Sequence, residues 1–271
     1  MSTTAGPGRS ELRVVLAQLT PRPGDTAANL DRLESVLAGH ADAELIVFPE
    51  LFLTGYDLGA VREQALNAYG PEIGRVRELA RRWRTAVAVG FPEATGDGVA
   101  SSLACVDTDG TLAGVYRKTH LFGRERDHFT PGDRLAVVEL AGVPVGPLIC
   151  FDIEFPEPAR TLALAGARLL VSVAANMAPY GPDHDLASRA RALDNRLPHL
   201  YVNRTGREAP FTFTGHSRAV APDGSLTLPL GPGEQVAPAR IALGTAADWP
   251  TDYLHHLRPG LYGGQSRTAR R

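Results

Sequence analysis

Lysine is nearly missing from this sequence: of its 28 lysine and arginine residues, Lys118 alone is lysine. In a chain that writes positive charge as planar guanidinium, a single compact ammonium marks either a place where arginine does not fit or a chance survivor. Cysteine is just as scarce. Cys105 and Cys150 are the only two, which excludes a disulfide-stapled scaffold and, in a reducing compartment, leaves two free thiols. An excess of either charge is also missing, since 28 basic side chains face 30 acidic ones for a net charge of −2. Nucleic acid and anionic lipid are therefore not expected as partners. No uncharged stretch nears the ~20 apolar residues of a membrane helix; the longest, residues 169–182, is interrupted by Ser172, Asn176, Pro179 and Gly181. No glycine-rich phosphate fingerprint follows a strand pattern, so no nucleotide cofactor is expected. No Cys-x-x-Cys pair accompanies Cys150, which argues against a redox protein.

What is present is a hydrophobic share of 44% with 28 Gly and 21 Pro, the composition of a globular domain with many tight connections. Residues 1–10 lack the apolar core of a signal peptide and read as a disordered leader, which makes the cytoplasm the expected compartment. Residues 11–250 read as one domain, with residues 251–271 a C-terminal tail available for dimer contacts. Along the domain, strand and helix patterns alternate. A strand at 12–19 stops before Pro21, and Asp25 or Thr26 can cap a helix carrying Leu30, Leu33, Val36 and Leu37 on one face. A strand at 44–48 and a helix at 71–83 follow, then strands at 85–90, 99–107 and 112–117, the last two joined through Asp109-Gly110. A polar loop at 118–133 leads to strands at 135–140 and 143–150. Beyond them come a helix at 156–165, a strand at 168–173, a helix at 183–195 and strands at 199–203 and 239–243. A hairpin turning at 222–224 lies between the last two. Hairpins mixed with helical crossovers predict an α/β fold of two mixed sheets with outer helices.

Three chemistry-bearing residues stand at or just past predicted strand ends: Glu50, Lys118 and Cys150. Glu50 follows Leu-Ile-Val-Phe-Pro, so its carboxylate is desolvated and needs a cation or a raised proton affinity. A thiol, a carboxylate and an ammonium together suit acyl transfer: the carboxylate takes the thiol proton and the ammonium faces a developing oxyanion. By itself Cys150 reads more readily as a small buried hydrophobe than as a nucleophile, and Cys105, inside an alternating strand, reads as core. Asp183-His184-Asp185 has a ligand-like look, but at a helix start it reads as capping and solvation, so no metal is expected.

The segments Phe-Pro-Glu-Leu-Phe-Leu-Thr-Gly-Tyr at 48–56, Tyr-Arg-Lys-Thr-His-Leu-Phe-Gly at 116–123 and Leu-Ile-Cys-Phe-Asp-Ile-Glu-Phe-Pro-Glu at 148–157 resemble the three catalytic motifs of the nitrilase-superfamily carbon–nitrogen hydrolases. Weaker likenesses at 129–133, 175–180, 189–192 and 222–225 extend the resemblance from about residue 12 to 243. It implies a four-layer αββα sandwich, a homodimer or higher homo-oligomer, no cofactor, and hydrolysis of a small-molecule amide substrate through a cysteine thioester. Carried over by motif, Glu50 is the general base, Lys118 the oxyanion-stabilising cation and Cys150 the nucleophile. Glu125 holds the place of a second active-site glutamate, though the run 124–127 reads equally as a solvated charge cluster. Tyr56, Phe151, Asp152, Glu154, Phe155, Asn176 and Met177 flank the motifs and are expected to line the pocket. The resemblance is strongest to small-amide amidases of the 5-aminopentanamidase and stereoselective kinds. Nitrile or N-carbamoyl amino acid hydrolysis on the same triad, or a non-catalytic scaffold retaining the fold, are the alternatives.

Overall fold

Alternation within strand β1 (Glu11–Gln18) sets the layers of the molecule. Leu12, Val14 and Leu16 belong to one buried apolar cluster, Val15 and Ala17 to another, as a period of two requires of a strand covered on both faces. The computed structural model describes residues 9–244 and 249–262. The leader expected at 1–10 therefore falls outside the described residues except at its end, as does the tail beyond residue 262.

On one face of β1 pack helices α1 (Thr26–Gly39) and α2 (Pro71–Trp83), through Leu30, Leu33 and Leu37 and through Ile73, Val76 and Leu79. Asp25 is the cap of α1, its Oδ1 accepting from Ala28 N at 3.0 Å. The first sheet also holds β2 (Leu45–Val47), β3 (Ala86–Thr95), β4 (Gly98–Val106) and β5 (Leu112–Arg117). β1, β2 and β3 run parallel, while β4 reverses and β5 reverses again. The carboxyl ends of β2 and β5 therefore lie at the same end of the sheet. Against the other face of β1 stands a second sheet built on β6 (Val138–Leu140), β7 (Val143–Ile149), β8 (Leu169–Ala174) and β9 (His199–Asn203). β7, β8 and β9 are parallel. Helices α3 (Pro156–Leu164) and α4 (Gly181–Asn195) follow β7 and β8 and form the fourth layer. The result is the expected αββα sandwich.

Three details depart from the sequence reading. The strand expected at 135–140 is confined to β6. A two-stranded hairpin, β10 (Thr205–Glu208) and β11 (Phe211–Thr214), occupies a segment where the sequence reading placed no strand. The order of the second sheet is completed by β12 (Arg218–Val220) and β13 (Leu226–Pro229), and that of the first by β14 (Gln235–Ala242), which pairs with β1 and is longer than its expected 239–243.

One glycine fixes the turn that ends β2. A Cβ on Gly90 would stand 2.4 Å from Pro49 O, 2.5 Å from Leu51 N and 2.6 Å from the Glu50 Cα, all backbone atoms that no side-chain rotation can move aside. Gly90→Ala is expected to destabilise the protein by about 1–3 kcal/mol through overpacking. Gly74→Ala, on α2 with nothing within 4 Å of the added carbon, is expected to stabilise it by roughly 0.5–1 kcal/mol. Thermal melts of the two variants read the difference, and equal melting temperatures would remove the constraint claimed for Gly90.

Candidate active site

The first sheet delivers two of the three expected residues from strand ends that point the same way. Glu50 follows β2 in a turn where Leu51 has φ of +51°. Lys118 follows β5, its N–H donating to Ser101 O and its carbonyl accepting from Gly132 N. The second sheet delivers Cys150, which does not end a strand as the sequence suggested but opens the 3-10 turn 150–154 directly after β7. Its φ of +50° places a non-glycine residue in the left-handed region, the kind of strained strand-to-helix elbow that recurs at reactive side chains.

The side chains of Glu50 and Lys118, and of Glu125 with them, are almost wholly buried. Lys118 Nζ donates to Glu50 Oε1 at 2.9 Å and lies 2.9 and 2.8 Å from Glu125 Oε1 and Oε2. Glu125 is thus no part of a solvated cluster: the 3-10 turn Gly123–Asp127 turns it inward and leaves Arg124, Arg126 and Asp127 exposed. Tyr56 Oη donates to Glu125 Oε1 at 2.7 Å and the Phe122 N–H to Oε2 at 2.8 Å. Glu50 receives two further bonds, from Ser101 Oγ to Oε1 and from the Ala175 N–H to Oε2, each 3.0 Å.

Burial raises the pKa of Glu50, opposed by Lys118 and reinforced by Glu125. Burial pulls Lys118 down, but Glu125 and then Glu50 overcome it, so its ammonium stays charged far above the usual lysine range. The Cys150 thiol is pushed well above its ordinary value by burial first and Glu50 second, with Lys118 and the Ala175 N–H pulling the other way. The ammonium therefore does not produce a standing thiolate at neutral pH; the thiol keeps its proton until something accepts it. Cys105 is core as expected, its thiol pushed by burial to about 12.

A cavity with about 20 Å³ of free space, little more than the roughly 10–15 Å³ that one water occupies, is lined by Cys150, Glu125, Tyr56, Ala175 and His184. Phe151, Glu154, Asn176 and Met177 line it as expected, and so do Phe122 and Tyr180. Phe122 meets Phe151 and Tyr180 edge to face, with ring centroids 5.3 and 5.1 Å away, making one aromatic wall.

Two expected lining residues lie elsewhere. Asp152 is fully buried behind Cys150, where Oδ2 accepts from Tyr116 Oη and Ile149 N, and Oδ1 from Thr119 Oγ1 and His120 N. It ties the turn bearing Cys150 to the segment bearing Lys118. Phe155 stacks on the His120 ring at 4.2 Å rather than facing the cavity.

His184, read as helix-start solvation, is buried beside the cavity, 2.8 Å from Tyr201 Oη through Nδ1 and 3.2 Å from Glu154 Oε1 through Nε2. Burial lowers its pKa and raises that of Tyr201. A protonated tyrosine then donates to Nδ1, and Nε2–H donates to the Glu154 carboxylate. Arg204, on no motif singled out above, is also buried, with its guanidinium 3.8 Å over the Phe213 ring and Nη1 2.7 Å from Glu208 Oε2. Glu208 in turn accepts from Tyr56 N. The only signal for Arg204 was a charge directly after the strand expected at 199–203. Among the described residues, no three His, Cys, Asp or Glu side chains are grouped to hold a metal ion, and no helix is long and apolar enough to cross a membrane.

A family model for carbon-nitrogen hydrolases matches residues 13–251. The hydrolase in the pqqF 5' region of Pseudomonas protegens is 41% identical over 269 residues, 96% of this chain and 94% of that protein. An (R)-stereoselective amidase from a Pseudomonas species is 39% identical over 260 residues, 94% of each. Among solved structures, a cysteine-to-alanine mutant of the amidase from Nesterenkonia sp. AN1, in complex with butyramide, superposes with a TM-score of 0.84 at 28% identity, covering 93% of this chain and 96% of that one. A glutamate-to-glutamine mutant of the same amidase, matching with a TM-score of 0.84 at 28% identity over 96% of this chain and 98% of that one, shows covalent addition of the acetamide moiety of fluoroacetamide at its active-site cysteine. Likeness of this extent in sequence and in fold leaves one assignment: the chain belongs to the carbon-nitrogen hydrolase family of the nitrilase superfamily.

Proposed function

We propose that the protein is an amidase that hydrolyses the carbon–nitrogen bond of a small carboxamide to the acid and ammonia, through a thioester on Cys150. The observation that carries this reading is the buried bridge of Glu50, Lys118 and Glu125, whose Glu125 lines the same cavity as Cys150. A thiol whose pKa is raised needs a base at the moment of attack, and Glu50, whose own proton affinity burial has raised, is matched to that task. Glu50 accepts the proton as Cys150 Sγ bonds to the amide carbon. An ammonium has three N–H groups and two of them serve the carboxylates, so the third is left for the oxyanion. The N–H of Phe151 is the second oxyanion donor. The proton returns to the departing nitrogen and ammonia leaves; a water deprotonated by Glu50 then attacks the thioester carbon, the C–S bond breaks, and Glu50 returns the proton to Sγ. Glu125, fixed by Tyr56 and the Phe122 N–H, holds Lys118 in place through both steps. The amidase names of relatives, and the cysteine adduct and butyramide complex of the Nesterenkonia amidase, support the same chemistry.

Cys150→Ala is expected to abolish ammonia release from small amides while leaving the melting temperature near that of the parent; residual turnover above background removes the nucleophile. Lys118→Arg keeps the charge but brings a planar head between two carboxylates spaced for an ammonium. Loss of one well-placed oxyanion donor costs about 3 kcal/mol, or some hundredfold in kcat; near-parental kcat in this variant contradicts the assigned role. The base must be ionised to act, so kcat/KM is expected to fall with decreasing pH through a midpoint above the ordinary glutamate value. A pH profile whose acid limb lies at or below that value would be incompatible with Glu50 as the base.

A further inference from the structure

We infer that the substrate carries a ring-sized apolar group, held in a second cavity that opens from the reactive one. The inference rests on the amidase reading above and extends it to the class of amide. Beside the reactive cavity, with its free space of about 20 Å³, lies another of about 680 Å³. The two share the side chains of Tyr56, Phe122, Glu125, Met177 and Tyr180. To reach the larger space, a molecule whose carbonyl carbon stands at Cys150 must pass between these shared side chains. That volume lies within the roughly 300–1,000 Å³ typical of small-molecule sites, far more than a two- or three-carbon amide fills.

The larger cavity is walled by the loop after Tyr56, by the 3-10 turn that carries Glu125, and by the tip of the β10–β11 hairpin. Three carboxylates border it, and each already has partners within the protein. Glu125 is bonded to Lys118, Glu208 to Arg204 and the Tyr56 N–H, and Asp57 Oδ1 to the N–H groups of Gly59 and Ala60. Of its basic residues, Arg124 is exposed and His128 half-buried. With Arg124 and His128 the basic groups beside it, the apolar surface left for a ligand is that of Leu58, Phe122, Met177, Tyr180, Pro210 and Phe211. These side chains recognise a flat or bulky hydrocarbon group by burial and edge-to-face contact, and offer it no specific charge partner. Such a group can sit on the acyl side of the amide, with ammonia as the leaving group, or on its nitrogen, with the substituted amine leaving in place of ammonia; the shared requirement is its apolar bulk.

Titration calorimetry on the Cys150→Ala protein tests this without turnover. Propanamide, 3-phenylpropanamide and N-benzylacetamide are the probes, the last two carrying the ring on opposite sides of the amide. At least one ring-bearing amide is expected to bind tenfold or more tighter than propanamide. Adding Leu58→Trp, which fills the cavity, or Phe211→Gln, which removes an aromatic wall, is expected to reduce that advantage at least fivefold. Equal affinity for all three probes overturns the inference, as does a ring preference that survives both added substitutions. Turnover is read separately on the parent enzyme, as ammonia or benzylamine. Tight ring binding without hydrolysis of any amide would overturn the amidase reading and leave the subsite standing.

Discussion

An ammonium buried between two carboxylates is the constraint on which the rest of this structure depends. Lys118 Nζ reaches Glu50 and Glu125 at 2.8–2.9 Å with none of the three side chains more than marginally open to water. Each charge alone would be prohibitive at that depth, and removing one partner from such a group typically costs about 3–5 kcal/mol. The three must therefore be brought together or not buried at all. Their partners come from both sheets: Ser101 from β4 and Ala175 from the end of β8 both donate to Glu50. The electrostatic centre also serves as a clamp across the sandwich.

Around that clamp, hydrogen bonds fix orientation rather than add charge. Asp152 joins the Cys150 turn to the Lys118 segment by accepting from Tyr116 Oη, Thr119 Oγ1 and the His120 N–H, while Ile149 N donates to it from its own side. Arg204 and Glu208 hold the backbone of Tyr56, whose hydroxyl then reaches Glu125. Asp152 acts directly on the turn bearing Cys150, while Arg204 acts on Glu125 through Glu208 and Tyr56; Asp152, Arg204 and Tyr56 are buried, so small displacements there reach the thiol cavity with little solvent to absorb them. Among the described residues, six non-glycine positions have positive φ, of which Leu51 and Cys150 flank or form the site itself.

The sheets and helices were legible because their signals are local. Alternation in β1 and the apolar stripes of α1 and α2 follow from periods of 2 and 3.6, which any segment carries in its own residues. Strand ends were legible too, since Pro49 and the glycines around them stop pairing, and that placed Glu50, Lys118 and Cys150 near loops. The hairpin at 205–214 was not read from the sequence: Thr-Gly-Arg-Glu of β10 has no apolar alternation, that of Phe-Thr-Phe-Thr in β11 spans only four residues, and Phe213 also bridges to Met177 at the cavity. Asp152 and Phe155 were misplaced for a related reason. A 3-10 turn sends adjacent residues in different directions, so being close to Cys150 in sequence does not mean facing the same cavity.

Sequence alone determined the inventory: one lysine, two cysteines, a carboxylate after an apolar strand, and the layers that would bury them. Tertiary structure decided which of these meet and in what state of protonation. It turned Glu125 inward among exposed neighbours, made His184 a neutral link to Glu154, recruited Arg204, and kept the Cys150 thiol protonated despite a nearby ammonium. The reason is that charge placement and desolvation depend on distances and on water excluded by both sheets at once, and neither quantity is carried by any single stretch of chain.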